Sequence, residues 1–427
     1  MPSRPTLFRI FTILLLLLPA AAGADLYGRP QHGGRATGQV GAFVARADDA
    51  AAVFYNPAAI VRLEGVQISA GLDFDAPTDD FDSAEGASAA EHTIQFPPAI
   101  YATWRPEGAS WAIGGGIDAP LWRLVDWENA LFPGRFVARR SEDRLFALRA
   151  VAAWAPNARW SLGGGLRYLQ GTLGFGDTRR ASETGAAGPV EFEVDRLAEG
   201  SGDGVGFDLG VHYAGEGWGF GATWSSAAKV SADADLDYTV RDRTSLPADV
   251  QDALRTRFRT GSSDLSEELP ETLTAGVWYA PYAALRIELD VALARWSAST
   301  FKATDEEEVV GPGFEIDRRN GWDDTLSIRL GVEGDLGDSG WTLGGGIALE
   351  PTPAGGEAVD PGAARGDAMV YAFGASYAVN DRITFDLGYS FHDFDTLSAS
   401  GQLEDPALSA TYAARAQVWS AGARWRF

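Results

Sequence analysis

Side chains able to do chemistry are scarce in this chain. Among 427 residues there is no cysteine, which removes disulfide frameworks, thiolate metal sites and cysteine nucleophiles together. Four histidines remain, His32, His92, His212 and His392, and His392 with Asp393 and Asp395 is the only local candidate for catalysis. Adjacent residues on a strand face opposite sides, so His392 and Asp393 cannot meet in one site. An enzyme is therefore not expected, and neither a cofactor nor a resident metal. Glu306-Glu307-Glu308 could hold Ca²⁺ between phosphate groups, although such a run also reads as a solvated loop. Arg135, Arg139 and Arg140 could grip a carboxylate, or form a solvated rim.

The elements that carry these residues follow from composition and periodicity. There are 59 acidic and 35 basic residues, a net charge of −24, so a polyanion such as nucleic acid is excluded as a partner. Gly reaches 51, Trp 14 and Tyr 12, against only 2 Met. That mixture suits many strands with tight turns and aromatic ends. Leu285, Ile287, Leu289, Val291 and Leu293 share one face, and Arg286, Glu288 and Asp290 share the other. The period is two, not 3.6. Fourteen such segments are expected, at 65–75, 94–105, 109–118, 143–155, 159–173, 204–214, 217–230, 271–281, 284–298, 323–334, 339–350, 368–378, 382–394 and 412–427.

The first residues differ from all of these. Arg4 and Arg9 precede the apolar run Ile10 to Leu18, and Ala22-Gly23-Ala24 has the small-x-small form of a signal-peptidase site. The run falls far short of the ~20 residues a membrane-spanning helix needs. Residues 1–24 are thus expected to be a signal peptide, cleaved before Asp25.

Connections between the fourteen segments alternate long and short. The short ones are turns such as Pro106-Glu107-Gly108, Gly215-Glu216 and Asn380-Asp381; the long ones include 174–203 and 231–270. Short turns at one end, long loops at the other and an even strand number describe an outer-membrane barrel. Trp104, Trp154, Trp160, Trp218, Tyr279, Trp341 and Tyr377 all fall beside the short turns, as an interfacial girdle does. Slipping the Leu285 strand by one residue would put three charges into hydrocarbon, at roughly 2–4 kcal/mol for an arginine and less for each carboxylate. The charged face must therefore line the lumen. The fold class is all-β: a 14-stranded antiparallel transmembrane barrel.

Residues 25–64 do not alternate, and about forty residues are too few for a core of their own. Fourteen strands enclose more space than wall side chains fill. This segment is therefore expected to plug the barrel of residues 65–427. Asp48 or Asp49 can cap a short helix in it, and Pro57 ends that helix.

Several motifs then carry a likeness. Gly34-Arg35-Ala36 with Gly41, Ala47-Asp48-Asp49-Ala50 and Asn56-Pro57-Ala58 resemble the N-terminal hatch of FadL-type outer-membrane transporters of long-chain fatty acids and other hydrophobic molecules. Gly134-Arg135-Phe136, Leu269-Pro270-Glu271-Thr272, Arg295-Trp296-Ser297, Trp322-Asp323-Asp324-Thr325, Leu330-Gly331-Val332-Glu333 and Glu350-Pro351-Thr352-Pro353 follow in the family's order.

The resemblance implies a plugged barrel acting as a monomer among outer-membrane lipid and lipopolysaccharide. It would pass long-chain fatty acids or similar molecules through an outer apolar groove and on through a lateral opening at a kink in the third strand. Gly114-Gly115-Gly116 permit such a break, or tight packing beside the plug. Arg35, Asp48, Asp49, Asn56, Pro57 and Ala58 become hatch or gating candidates. Leu121, Trp122, Trp127, Phe132, Arg135 and Phe136, with Val250, Leu254 and Phe258 on a short amphipathic helix, become ligand-binding candidates. The alternatives are uptake of aromatic hydrocarbons within the same family and, in a different class, a general diffusion porin.

Overall fold

The computed structural model describes residues 32–427 apart from 92, 259, 306–313, 318, 320, 355–358, 360 and 401–408. The expected signal peptide, residues 1–24, and the acidic run Glu306-Glu307-Glu308 lie outside the described residues.

Fourteen strands make the wall: β1 Gly65–Ser83, β2 Pro98–Arg105, β3 Trp111–Asp126, β4 Arg140–Trp154, β5 Trp160–Gly185, β6 Gly188–Ala214, β7 Trp218–Ser225, β8 Thr272–Tyr282, β9 Leu285–Ala294, β10 Thr325–Asp335, β11 Trp341–Glu350, β12 Ala368–Ala378, β13 Ile383–Phe394 and β14 Ser409–Arg426. Each is antiparallel to its neighbours. The last returns to the first, from Gln67↔Arg426 to Ser83↔Ala410, so the sheet closes and has no free edge. The C-terminal Phe427 donates its N–H to the Val66 carbonyl at 2.9 Å beside this seam.

Strand polarity sets which face is which. Ile113, Leu148, Leu162, Leu166, Val205, Phe207, Leu343, Phe385 and Leu387 are exposed on the outside, while Asp118, Arg149, Glu288, Asp290 and Asp386 are buried inside. An exposed apolar belt around buried charges is what a barrel bathed in lipid requires. Aromatics pair at the short-turn end: Trp104 with Trp111 at 5.7 Å, Trp160 with Tyr213 at 4.9 Å and Trp341 with Tyr377 at 4.8 Å between ring centroids.

Two expected loops are largely strand. β5 and β6 pair without a break from Trp160↔Tyr213 to Gly185↔Gly188, so the expected loop 174–203 is a hairpin ribbon. The expected loop 231–270 holds strands Ala228–Val240 and Gly261–Leu269 and the helix Ala248–Arg257. Above the hydrocarbon both faces of a ribbon can carry charge. The alternation in fact continues there, Val190, Phe192 and Val194 against Glu191, Glu193 and Asp195, and the strands run on past the length that crosses a membrane.

Residues 32–63 pack against the inward faces of the wall. They form two single-turn helices, Gly34–Thr37 and Ala52–Tyr55, and a 3₁₀ turn, Pro57–Arg62. Wall glycines make room for this backbone. A Cβ on Gly163 would lie 2.5 Å from the Ala58 nitrogen, and one on Gly221 would lie 2.2 Å from the Val44 oxygen.

Candidate functional site

The buried segment is held by charge. Arg35 reaches Asp48 at 2.7 Å, Asp49 at 3.0 Å and Glu333 of β10 at 3.1 Å. Burial alone would disfavour its charge, but the three carboxylates outweigh burial and raise its pKa well above the ordinary value. Arg46 adds a contact to Glu333 at 2.9 Å. The strongest attachment comes from β9. Asp290 accepts the backbone N–H groups of Phe43 and Val44 at 2.9 and 3.0 Å. Glu288 accepts those of Ala45 and Arg46 at 2.7 and 3.1 Å. Four consecutive donors thus end on two carboxyl groups of one strand face.

A second wall strand, β6, also holds the segment. Asn56 is fully buried. Its amide donates to the Val44 and Val211 carbonyls at 2.9 and 3.2 Å, and its side-chain oxygen accepts the Ala58 N–H at 3.1 Å. His212 of β6 lies 2.9 Å from the Ala45 carbonyl. Pro57 opens the 3₁₀ turn that Asn56 caps. The N-cap position of the helix Ala52–Tyr55 is Ala51, which has no side-chain cap; Asp49 instead accepts the Ala51 N–H at 2.9 Å, one residue before the helix.

Above this segment the lumen holds an apolar cluster, with the buried pairs Arg123–Asp143 and Arg319–Glu267 beside it. Leu121, Leu145, Ala147, Leu169, Leu173 and Phe175 of the wall meet Val230, Leu236, Leu265 and Phe301 of the upper sheet in one buried cluster. On β4 and β5 the inward face changes from Leu145 and Leu169 to Arg149 and Arg167 at one level. That switch is readable in the sequence once the inward parity is known, yet these leucines were not among the expected ligand residues.

The structure does not bring the expected ligand residues together. Leu121 joins the cluster just described. Trp122 faces outward, its ring 4.9 Å from that of exposed Phe146, because a register shift between Asp118 and Leu121 resets which residues point in. Trp127 and Phe132 stack at 4.5 Å in a separate cluster with Phe81 and Tyr412. Val250, Leu254 and Phe258 pack on Phe192 and Val194, on the ribbon and away from the lumen leucines. Arg135 is paired with Glu193 at 2.8 Å and lies 4.3 Å over the Phe136 ring. Arg139 holds Asp195 at 2.8 Å, and Arg140 holds Asp126 at 2.8 Å and Glu142 at 2.5 Å.

Gly114, Gly115 and Gly116 do not mark a break. All three are paired on both sides, to Thr103, Ala102 and Tyr101 and to Val151, Ala150 and Arg149. A Cβ on Gly114 would lie 2.9 Å from Val53 of the inner segment, and one on Gly116 would lie 2.4 Å from the Tyr101 ring, so the glycines serve close packing. The irregularity lies just beyond, between Asp118 and Leu121, where Pro120 has no N–H to give. The β2–β3 ladder also ends there, at Ile100↔Ile117. Higher up, the Glu91 N–H reaches the Asp126 carbonyl at 2.8 Å. Between these two points the wall has a window without ladder pairing among the described residues.

His392 lies inside, its Nε2 3.1 Å from the Ser390 hydroxyl and its Nδ1 4.0 Å from Glu350. The second distance is too long for a hydrogen bond, and Ser390 is fully buried. Asp393 points outward towards Arg415. Among the described residues no group of three or more His, Asp and Glu could hold a metal ion.

Comparison with known proteins agrees with this architecture. A sequence profile of the family described as outer membrane protein transport protein (OMPP1/FadL/TodX) matches residues 19–427. No curated protein sequence matches. A FadL homologue of Pseudomonas aeruginosa superposes with a TM-score of 0.79 at 14% identity, over 93% of this chain and 99% of that one. The toluene transporter TodX of P. putida gives 0.69 at 14% identity, over 94% and 99%. The toluene transporter TbuX of Ralstonia pickettii gives 0.64 at 17% identity, over 94% and 100%. At such identities these likenesses concern the fold.

Proposed function

The chain belongs to the outer-membrane transport protein family that includes FadL and TodX, and from that premise we propose that it takes up uncharged hydrophobic molecules, monoaromatic hydrocarbons among them, by diffusion through a hatched barrel. Transport of hydrophobic compounds across the bacterial outer membrane is the family's activity. The observation that supports an uncharged cargo is the lumen itself: a leucine-rich compartment above residues 32–63, beside arginines that already hold carboxylates. Burying each CH₂ of a ligand there is worth ~0.8 kcal/mol, so partitioning needs no catalyst and no energy source.

In this reading residues 25–64 act as the hatch. Arg35, Asp48 and Asp49 brace it, Asn56-Pro57-Ala58 form its contact with the wall, and the window above Ile100 and Ile117 is the sideways exit. Long-chain fatty acid uptake is the second reading, and the arginine band 135, 139, 140 and 144 at the outer end is the feature on its side.

The test is uptake into proteoliposomes of toluene and, separately, of a long-chain fatty acid. Toluene entry that needs the protein is expected, with slower fatty-acid entry; the reverse order would favour the second reading. Deleting Asp48 to Ala59, or replacing Pro57, should change uptake while the barrel still assembles. Unchanged uptake would remove the hatch role.

A further inference from the structure

Arg149 and Arg167 stand directly opposite each other in the β4–β5 ladder, both facing inward. Two like charges in that position repel. Two carboxylates from the flanking strands offset them. Asp118 of β3 meets Arg149 at 3.2 Å. Asp208 of β6 meets Arg149 at 2.8 Å and Arg167 at 3.6 Å. Arg167 also donates to the Ser226 carbonyl at 2.5 Å. Each of the four side chains is at most 7% exposed.

Their position gives the group meaning. Leu145 and Ala147 lie above Arg149 on the same face of β4, and Leu169 and Leu173 lie above Arg167 on β5. Beneath, the Arg149 guanidinium sits 4.8 Å over the Phe54 ring of the inner segment. His32 lies 3.8 Å from Asp118 on that lower side. The four ions are therefore the floor of the apolar compartment and the roof of the N-terminal segment. Asp118 also stands at the foot of the window, next to the last β2–β3 pair.

We propose that Asp118 and Asp208 determine specificity by occupying the two guanidiniums, so that the compartment accepts uncharged hydrophobic molecules and rejects amphiphiles with a carboxylate head. A carboxylate arriving at this floor must shed its water. It finds two cations already matched by two anions, with no net charge to compensate it. Neutralising either aspartate leaves one uncompensated guanidinium beneath Leu145 and Leu169, which is an anion site next to apolar side chains. This inference rests on the transport reading above and names what sets its cargo class.

The experiment measures binding of a saturated fatty acid and of its methyl ester to the full-length protein in detergent at neutral pH. Migration as a folded barrel in unheated gels serves as the control. The wild type should favour the ester. Asp118→Asn and Asp208→Asn should each shift the acid-to-ester ratio towards the acid by about tenfold or more, as a hydrogen bond to a charged group does. The charge-balanced pair Asp118→Asn with Arg149→Gln should restore the ester preference. If one aspartate variant fails to fold, the other carries the same test. A wild type that prefers the acid, or a ratio unmoved in the folded aspartate variants, overturns the inference and leaves hydrophobic transport standing. Binding of neither probe overturns both.

Discussion

The lower and upper halves of the lumen use inward-facing side chains in opposite ways. In the lower half the charged ones grip the inner segment: Glu288 and Asp290 hold backbone N–H groups, and Glu333 holds Arg35 and Arg46, while Tyr101, Ala112 and Val151 pack against it. In the upper half the leucines form one apolar cluster, and the charges beside it, Asp143 with Arg123 and Glu267 with Arg319, pair among themselves and leave the inner segment alone. The same β-strands supply both, and the change comes within two residues, from Arg149 to Ala147 on β4. A directional, charge-assisted attachment suits a chain segment that must stay in register, while a non-directional apolar surface suits a cargo that must enter and leave. The contrast implies that leak and uptake are separable properties of this protein.

The largest expected effect breaks the lower half. Replacing Glu288 and Asp290 together by Ala removes the acceptors of four N–H donors, each worth roughly 1.5–3 kcal/mol when the acceptor is charged. Single-channel current in planar bilayers should rise at least about tenfold, with the barrel still folded. An unchanged current would mean that Asn56 and Arg35 hold the segment unaided.

A smaller and complementary effect is expected above. Leu169→Asn puts a polar amide into the apolar cluster and should lower hydrocarbon uptake by roughly tenfold, from a loss of about 1.5–3 kcal/mol of apolar contact. Ion conductance should stay at the wild-type level. A leak in this variant would show that the two halves are coupled, and the comparison would fail.

The smallest effect belongs to a region outside both halves. Leu254→Ala weakens the packing of the helix Ala248–Arg257 on Phe192 and Val194. Because that helix sits on the ribbon, uptake should change by less than about twofold while the helix becomes easier to cleave by protease. A strong loss of uptake would bring the helix back into the ligand path.

Much of the fold can be read without coordinates. Leu285 to Leu293 fixes a strand and its faces by alternation alone, and Trp160 or Trp341 beside a short turn fixes an end. The candidate site is less legible. Trp122 looks like a pocket aromatic, but a register shift at Asp118 turns it towards lipid, and no local pattern announces that shift beyond Pro120. Gly114 to Gly116 look like a hinge, but what they accommodate, Val53 and Tyr101, comes from elsewhere in the chain. The ribbon 174–203 keeps the alternation, Phe192 and Val194 against Glu191, Glu193 and Asp195, but its strands run on beyond the length of a membrane crossing, where a loop is expected.

The sequence by itself determined the number of wall strands, their ends at the short turns and the face that meets lipid. Each of these depends on a local cost: one residue of slip carries a charge into hydrocarbon. Only the tertiary structure decided what the inward charges do. Glu288 and Asp290 find donors more than 240 residues away in sequence. Those donors are backbone N–H groups, which nearly every residue carries, so no side-chain pattern could have marked them.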